Sequence, residues 1–359
     1  MPYDVTIMPD EPTSTNRIRQ RRISLGLTQA ELAARAGISR TAVTAIEGER
    51  LAPSVDAALA IARSLESSVE ELFGQGQGGP ATDVWAWAPP MESAPCWQAE
   101  IGGRRVHYPA SSSPMLSLLP DRQLRNKWAA DAKVADETLV MACCDPAAGL
   151  LASQFAAMTG LRLLVLPRAS RQAVEMLRDG LVHLAGLHLS TREKPDRNVN
   201  LVRTTLGDDF QAIRLANWQE GIALEPSSSC RSIRSVLASK LTWVGREPGS
   251  GARQCLDRLL ENRPGPRRTA RDHHGVVEAV RSGWADAGIC VQLASVEAGL
   301  KFLPVQEEAF DVCFPTALAD DRRVKAFLNV IRSVAYRRLL ADLPGYDTQE
   351  TGELCGGRV

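Results

Sequence analysis

The 359-residue sequence has no excess of charge of either sign, because 42 basic side chains balance 42 acidic ones. A net charge of zero excludes a chain whose whole surface coats nucleic acid or anionic membranes non-specifically. No apolar run approaches the roughly 20 residues that a transmembrane helix needs. The hydrophobic content of 44% is ordinary for folded protein. The length therefore predicts two or three globular domains.

Several catalytic and targeting motifs are also missing. The first 15 residues lack the basic and apolar regions of a secretory signal, so we expect a cytoplasmic protein. The eight cysteines include no CxxC spacing, and reduced core residues are the expectation for most of them. No nucleophile elbow, Walker loop or HExxH pattern occurs. We therefore expect a protein that is not an enzyme and that uses no cofactor.

Positive charge is concentrated near the N-terminus, where residues 15–53 contain seven arginines and three glutamates, a local net charge of +4. Residues 17–73 show the spacing of five short helices. Thr28 with Glu31 forms a capping box for the second helix, Gly37 allows a tight turn, and Ser39 caps the third helix. Two helices joined by such a turn are typical of a helix-turn-helix.

This spacing resembles the Xre/Cro-like family of helix-turn-helix domains. The resemblance implies that the third helix enters the major groove of operator DNA and that the protein binds paired half-sites as a dimer. The residues that this predicts at the DNA are Gln29, Ser39, Arg40, Thr41, Thr44 and Arg50. A helical protein-interaction module that has lost DNA binding is the alternative.

Composition divides the rest of the chain. We predict a disordered tail over residues 1–16 and a flexible linker over residues 74–82, which contain GQGQGGP. Residues 83–136 are interpreted as a connector with short strands, including a β-hairpin around Gly102 and Gly103. The alternation of strands and helices from residue 137 predicts a parallel sheet with helices on both faces.

The last region resembles the periplasmic-binding-protein-like domain that is found fused to such DNA-binding modules and to molybdenum-cofactor proteins. The motifs that carry the resemblance are CDPA at 144–147, AGLHL at 185–189, RxxGSGxR at 246–253, His274 with GxADAG at 283–288, and LPGYD at 343–347. It implies a multidomain chain, with a helical head and a two-lobed α/β sensor over residues 137–352. Lobe I would comprise about 137–210 and 305–350, and lobe II about 211–304.

Ligands of such domains bind where helix N-termini and strand ends meet. Arginines, a glycine-rich turn and hydroxyls at those positions favour a small anionic effector. It would be an oxyanion such as molybdate or tungstate, or a small sulfur or carboxylate metabolite. The predicted ligand residues are Cys144, Asp145, His188, Ser190, Arg246, Gly249, Ser250, Gly251, Arg253 and His274.

Two other functions fit the same residues less well. Cys143 and Cys144, with the histidines, could form a thiol- or metal-responsive regulator. A metal site from His188, His273 and His274 has no supporting local spacing, so no metal is predicted. A more remote alternative is an enzyme with Ser250 or Cys144 as nucleophile and His188 or His274 as base.

Overall fold

A computed structural model describes residues 17–48, 50–65, 67, 69, 72, 83–90, 94–110, 120–121, 132–261 and 263–355. The chain forms two compact units, Met1–Thr82 and Asp83–Val359. The predicted tail, the linker sequence GQGQGGP and most of the fifth predicted helix lie outside the described residues.

The helices of the described residues, in chain order, are α1 Arg17–Ser24, α2 Gln29–Ala36, α3 Arg40–Glu47, α4 Val55–Ser64, α5 Ala132–Asp136, α6 Ala148–Thr159, α7 Ser170–Arg178, α8 Arg197–Leu206, α9 Ile233–Ala238, α10 Gly251–Leu260, α11 His273–Arg281, α12 Gln292–Glu297, α13 Arg322–Arg332 and α14 Val334–Ala341. The strands are β1 Val84–Trp85, β2 Cys96–Ile101, β3 Arg104–Pro109, β4 Thr138–Cys143, β5 Arg162–Pro167, β6 Leu184–Thr191, β7 Phe210–Leu224, β8 Trp243–Arg246, β9 Arg268–Ala270, β10 Ala287–Val291, β11 Lys301–Pro315 and β12 Tyr346–Asp347.

Local capping signals position the helices of the first unit. The capping box of Thr28 and Glu31 forms as predicted, and the Ser39 side chain accepts a hydrogen bond from the Ala42 amide. Gly37 adopts a φ of 65°, a left-handed conformation that costs other residues about 1–2 kcal/mol. These contacts fix the turn between α2 and α3, and both helices bury apolar side chains in one core.

A buried ion pair joins α1 to α3. The Arg22 Nε lies 2.6 Å from Glu47 Oε1, and its Nη2 donates a second bond of 3.0 Å to Oε2. The remaining Arg22 nitrogen, Nη1, donates to the Leu27 carbonyl at 2.7 Å. Gln29 Nε2 also donates to Glu47 at 2.9 Å. Because both charges are buried and satisfied, removal of either partner leaves the other unpaired in the core.

The second unit is built on a nine-stranded mixed sheet in the described residues, with the order β5-β4-β6-β11-β7-β10-β8-β9 and β12 paired to β7. Strands β4, β5 and β6 are parallel, as are β8, β9 and β10. The predicted parallel pairing is therefore present within each of these groups, but the sheet as a whole is mixed. Strands β7 and β11 run antiparallel to each other and to their neighbours β10 and β6, respectively, through the middle of the sheet.

The 15-residue strands β7 and β11 are shared by two lobes. The C-terminal half of β11 pairs with β6 in lobe I, whereas the C-terminal half of β7 pairs with β10 in lobe II. The sequence predicts two separate strands, 302–304 and 310–314, in the region of β11, and a polar segment lies between them. The structure keeps that segment in the strand, with register shifts on both sides of it.

Lobe I buries both faces of its sheet. In β4, Leu139, Met141 and Cys143 enter the core on one face, and Val140 and Ala142 enter the core on the other. The hairpin of β2 and β3 covers the second face with Trp97 and Tyr108, among other residues. The segment predicted as a connector therefore contributes to the core of the second unit. No helix in the described part of the chain is long and apolar enough to cross a membrane.

The Arg22–Glu47 pair gives a stability prediction. Replacement of Glu47 by Ala leaves Arg22 buried without its partner, so we expect the free energy of unfolding of the first unit to fall by about 3 kcal/mol. All seven tryptophans follow residue 82. In Glu47→Ala, urea unfolding followed by far-ultraviolet circular dichroism should therefore show a helical transition at a lower urea concentration than in the wild type. The transition followed by tryptophan fluorescence should keep its urea midpoint.

The exposed Glu31 provides the matched control for this experiment. Because Glu31→Gln retains most of the capping geometry, its effect should stay within about 0.5 kcal/mol. Equal shifts for Glu47→Ala and Glu31→Gln would contradict a core role for the ion pair.

Candidate functional site

The ends of strands from both lobes bring polar residues together between the lobes. Cys144 follows β4, His188 lies in β6, Arg246 ends β8, and His273 begins α11 beyond β9. All four are buried, with at most 4% of the residue surface exposed. With Glu220 of β7 and Glu308 of β11, which are also buried, they form what we call the interlobe cluster.

Close approach of the two lobes explains the glycine at the start of α10. A Cβ atom on Gly251 would lie 2.6 Å from the His188 carbonyl oxygen and 2.7 Å from its Nδ1. Ser250 caps the helix by accepting a hydrogen bond from the Arg253 amide at 3.2 Å. The N-terminus of α10 therefore points at the interlobe cluster, and any larger residue at 251 would separate the lobes.

His188 is the centre of the interlobe cluster. Its Nε2 lies 2.9 Å from Cys144 Sγ, and its Nδ1 lies 2.8 Å from Glu308 Oε2. The indole Nε1 of Trp218 donates to the same carboxylate oxygen at 3.2 Å. Burial lowers the pKa of His188, but the charge and hydrogen bond of Cys144 outweigh it and raise the pKa overall. The ring is thus held by a thiol on one side and a carboxylate on the other.

The two glutamates form a buried acidic pair. The side-chain amide of Gln306 donates 2.8 Å hydrogen bonds to Glu220 and to Glu308. Burial and then the charge of Glu308 raise the pKa of Glu220 well above its ordinary value. Burial also raises the pKa of Glu308, to about 7. The pair therefore carries fewer than two negative charges at neutral pH.

Arg246 and His273 supply polar atoms without partners in the described structure. The Arg246 Nε and Nη2 form a bidentate pair with Glu247, both at 3.0 Å, but Nη1 has no hydrogen-bond partner. Both ring nitrogens of His273 also lack a partner. Burial, followed by the charge of Arg246, lowers the pKa of His273 well below its ordinary value, so that ring is neutral. Buried polar atoms without partners are rare in folded proteins, and a bound ligand, ion or water is one way in which they are satisfied.

A second polar group lies at the start of α6. Asp145 Oδ1 accepts hydrogen bonds from the Tyr346 hydroxyl and, at 2.9 Å, from the Ala147 amide. Its Oδ2 has no partner in the described structure. Burial raises the pKa of Asp145 to about 6, although both hydrogen bonds oppose the shift. Asp145 therefore titrates nearer to neutrality than an exposed aspartate does.

The structure separates the predicted ligand residues into two groups. Cys144, Asp145, His188, Arg246 and Gly251 are buried at or beside the interface between the lobes. The others have structural partners or lie farther out. Ser190 Oγ accepts a bond from the Asn198 amide, Ser250 is a helix cap, Gly249 packs near Arg171, and Arg253 pairs with Asp257 at 2.8 Å.

The structure places His273, and not the predicted His274, in the interlobe cluster. His274 is half-buried, whereas His273 is 1% exposed and its ring centroid lies 5.8 Å from that of His188, with the two ring planes tilted by 52°. The reason is helical geometry, since consecutive residues at the start of α11 face different directions. Sequence reasoning also missed Trp218, Glu220 and Glu308. The available signal for Glu220 and Glu308 was that each is a charged residue within a strand that also contains apolar residues, since a charged side chain is rarely buried unless it is paired.

The two adjacent cysteines have different surroundings. Cys143 belongs to the apolar core, and Cys144 contacts His188. Cys144, His188 and Glu308 thus have the order of a nucleophile, a base and an orienting acid. In the described structure, Ser250 Oγ hydrogen-bonds to backbone groups of its own turn and helix, unlike the serine of a catalytic pair.

The predicted DNA-contacting residues lie around α3 in the first unit. Ser39, Arg40, Thr41 and Arg50 are exposed. Thr44 is half-buried and donates 3.2 Å to the Gln29 side-chain oxygen. The Gln29 amide donates to Glu47, so this side chain is tied to the Arg22–Glu47 pair. Ser39, Arg40 and Thr41 form an exposed surface at the start of α3 that suits a nucleic-acid groove, and Arg50 lies beyond the end of that helix.

Comparison with known families identifies both units. The family described as PBP superfamily domain matches residues 152–332, and the family described as Helix-turn-helix matches residues 18–72. The chain belongs to the PBP superfamily domain family, and it carries a helix-turn-helix of the transcription-regulator type at its N-terminus. The family and fold predicted from the sequence, a helical head with a two-lobed α/β domain, are confirmed.

Individual relatives cover parts of the chain. An HTH-type transcriptional regulator of Methanothermobacter thermautotrophicus is 46% identical over 57 residues, which are 16% of this chain and 83% of that protein. Bacillus subtilis YvgK is 28% identical over 185 residues, 49% of this chain and 59% of YvgK. The chain thus spans less than two thirds of YvgK. A putative phosphate ABC transporter substrate-binding protein from Clostridium perfringens is similar at a TM-score of 0.48 and 10% identity, over 58% of this chain and 99% of that chain.

The raised pKa of Asp145 predicts a pH dependence of stability. The folded state retains a proton that the unfolded chain releases near pH 3.9. The stabilisation that this bound proton gives the folded state is therefore full below that pH, and it is lost as the pH rises through about 6. Asp145→Asn keeps an acceptor oxygen and removes the titration. Between pH 4 and 7, we expect its free energy of unfolding to fall by roughly 2–3 kcal/mol less than that of the wild type.

Urea unfolding at each pH, followed by tryptophan fluorescence, measures this difference. Asp179→Asn is the control, because Asp179 is an exposed partner of Arg178. Parallel pH profiles for Asp145→Asn and the wild type would show that Asp145 does not titrate in this range.

Proposed function

We propose that the protein is a cytoplasmic, ligand-responsive transcriptional regulator that binds operator DNA as a dimer. Its PBP-like domain would bind a small anionic effector between the lobes. The observation that carries this proposal is the buried Arg246, whose Nη1 has no hydrogen-bond partner in the described structure. A guanidinium nitrogen that is buried and unsatisfied costs free energy unless a ligand accepts its hydrogen bond.

The surroundings of Arg246 favour an anion. Arg246 precedes the N-terminus of α10, where the first backbone N–H groups have no acceptor within the helix. The partial positive charge of that terminus adds to the charge of the guanidinium. Glu247 neutralises the other edge of Arg246, which leaves one directed donor facing the interlobe cluster. An oxyanion such as molybdate or tungstate, or a small carboxylate or sulfur metabolite, has acceptors of the required kind.

Ligand binding between the lobes can be coupled to DNA affinity through lobe closure. The contact of Gly251 with His188 requires the lobes to be close together, so a ligand that favours this contact favours the closed arrangement. A coupling free energy of about 1–3 kcal/mol changes DNA affinity about 5- to 150-fold. The role proposed here is therefore one of binding and switching, without a catalytic step.

The first experiment tests the DNA-binding half. Sequences enriched from a random DNA pool by the full-length protein should contain paired half-sites about 34 Å apart. On the enriched sequence, Arg40→Ala should weaken binding by about 1–3 kcal/mol and relax base preference at one position in each half-site. Arg50→Ala should weaken binding to all sequences. It should also reduce the slope of log affinity against log salt concentration by about one, the effect of losing one phosphate contact. Fluorescence anisotropy at several salt concentrations measures both effects.

Arg63→Ala is the control for these variants, because Arg63 is exposed on α4 of the same unit. Its affinity should equal that of the wild type if α3 carries recognition. Loss of binding in Arg63→Ala, with none in Arg40→Ala, would place the DNA on a different face.

The second experiment tests the effector. Thermal unfolding is followed with molybdate, tungstate, sulfate and small carboxylates at increasing concentration, with and without added zinc. At 100 times its Kd, a ligand should stabilise the folded state by about 2.7 kcal/mol. Arg246→Gln should abolish the shift because it removes the buried charge, and Arg246→Lys should retain part of it because the charge stays without the planar geometry.

Arg253→Gln is the matched control, because the sequence predicts Arg253 at the ligand whereas the structure pairs it with Asp257. Its anion response should equal that of the wild type. A panel in which no anion changes the unfolding temperature of the wild type would exclude the anionic effector.

A further inference from the structure

The interlobe cluster contains three side chains that are good ligands for a zinc-type metal ion. Cys144 Sγ, His188 Nε2 and one ring nitrogen of His273 lie within 4.8 Å of one another. All three residues are buried. We propose that Cys144, His188 and His273 form a binding site for Zn²⁺ or a similar late transition-metal ion. The inference rests on the proposed function only for its regulatory consequence, because metal binding itself can be measured without DNA.

The unpartnered His273 ring is the independent observation that points to a ligand. A buried histidine normally has a hydrogen-bond partner on at least one nitrogen, but neither nitrogen of His273 has one in the described structure. A neutral imidazole offers one lone pair and one N–H group. A metal ion would use the lone pair that faces Cys144 and His188. The ring would then no longer be unsatisfied in the core.

His188 is already oriented as a metal ligand. Its Nδ1 is 2.8 Å from the Glu308 carboxylate, which leaves Nε2 directed at Cys144. Histidines that bind metal ions usually donate their second N–H group to such a carboxylate, which fixes the tautomer and makes the other nitrogen more basic. Trp218 and Gln306 donate hydrogen bonds to Glu308 and hold it in place.

The distances require a small rearrangement. Zinc–sulfur and zinc–nitrogen bonds of about 2.3 and 2.0 Å at tetrahedral angles place the ligand atoms roughly 3.3–3.6 Å apart. The Sγ–Nε2 distance of 2.9 Å would have to lengthen by about half an ångström, a range that side-chain rotation covers. A thiol and two imidazoles favour zinc, cobalt, nickel or copper over magnesium or calcium, which prefer oxygen ligands.

Three protein ligands leave a fourth position of a tetrahedral ion open. Arg246 pairs in the sheet with Ala270, three residues before His273, and it precedes the helix whose Gly251 lies against His188. A thiolate and two neutral histidines leave a net positive charge on a divalent site, so an anion would suit the open position. The free Nη1 of Arg246 could then hold that anion, which would join the metal site to the proposed effector.

A cavity provides a route toward the cluster. It has a volume of about 390 Å³ and is lined by Thr191, Arg192, Glu307 and Glu308, among others. Glu308 both lines this cavity and contacts His188. The cavity lining and the interlobe cluster therefore share Glu308.

The test uses untagged full-length protein from which metal has been removed with a chelator. Zinc is titrated in competition with a chromophoric chelator, and Co²⁺ is added separately as a spectroscopic probe. We expect one ion per chain and a near-ultraviolet thiolate-to-cobalt charge-transfer band. Cys144→Ala should lose that band, and His273→Gln should weaken zinc binding at least 10-fold. Glu308→Gln, which removes the carboxylate behind His188, should weaken it about 10- to 100-fold.

Two neighbouring residues supply matched controls. Cys143→Ala removes the adjacent thiol from the apolar core, and His274→Gln removes the adjacent histidine outside the cluster. Both should bind zinc as the wild type does. Circular dichroism checks that each variant is folded. In the wild type, zinc should slow the alkylation of Cys144 by iodoacetamide, which mass spectrometry measures.

The absence of stoichiometric zinc binding in the wild type would overturn the metal site, as would binding without a thiolate band. Equal zinc affinity in Cys144→Ala, His273→Gln and the wild type would also overturn it. Zinc binding as expected, together with anions that never shift thermal unfolding, would support the metal site and refute the anionic effector. If anions shift the thermal unfolding of zinc-free protein and zinc does not bind, the anionic effector is supported and the metal site is refuted.

Discussion

The arrangement of the second unit depends on the burial of one imidazole ring between a thiol and a carboxylate. His188 lies in a lobe I strand, its carboxylate partner Glu308 belongs to a strand shared by both lobes, and a lobe II helix begins at Gly251 against its ring. Since burial of an imidazole costs free energy unless its nitrogens have hydrogen-bond partners, the positions of these elements are set together. Any movement of lobe II away from His188 opens its ring to water.

The first unit was largely predictable because its signals are local. Caps and turn glycines act within three or four residues, and Thr28, Glu31, Gly37 and Ser39 occupy the positions that their chemistry requires. The ion pair of Arg22 and Glu47 could not be predicted in this way, since its partners are 25 residues apart and both residue types are usually exposed.

The second unit was predictable in its class but less so in its topology. Apolar runs such as Thr138–Cys143 indicate buried strands, although their direction depends on pairing with distant segments. The long strand β11 was split in the prediction because Gln306, Glu307 and Glu308 look like a loop. Those polar residues lie where the lobes meet. The error therefore coincided with the candidate site, as expected where local preference and function conflict.

The two shared strands have a mechanical consequence. Glu220 and Glu308 are carried by β7 and β11, the same strands that connect the lobes, and the ladder shifts register near both of them. A rotation of one lobe must bend or shear these strands, and the acidic pair moves with them. The segments that would bend if the lobes moved therefore also carry two side chains of the interlobe cluster. The angle between the lobes and the geometry of the acidic pair are thus a single mechanical variable.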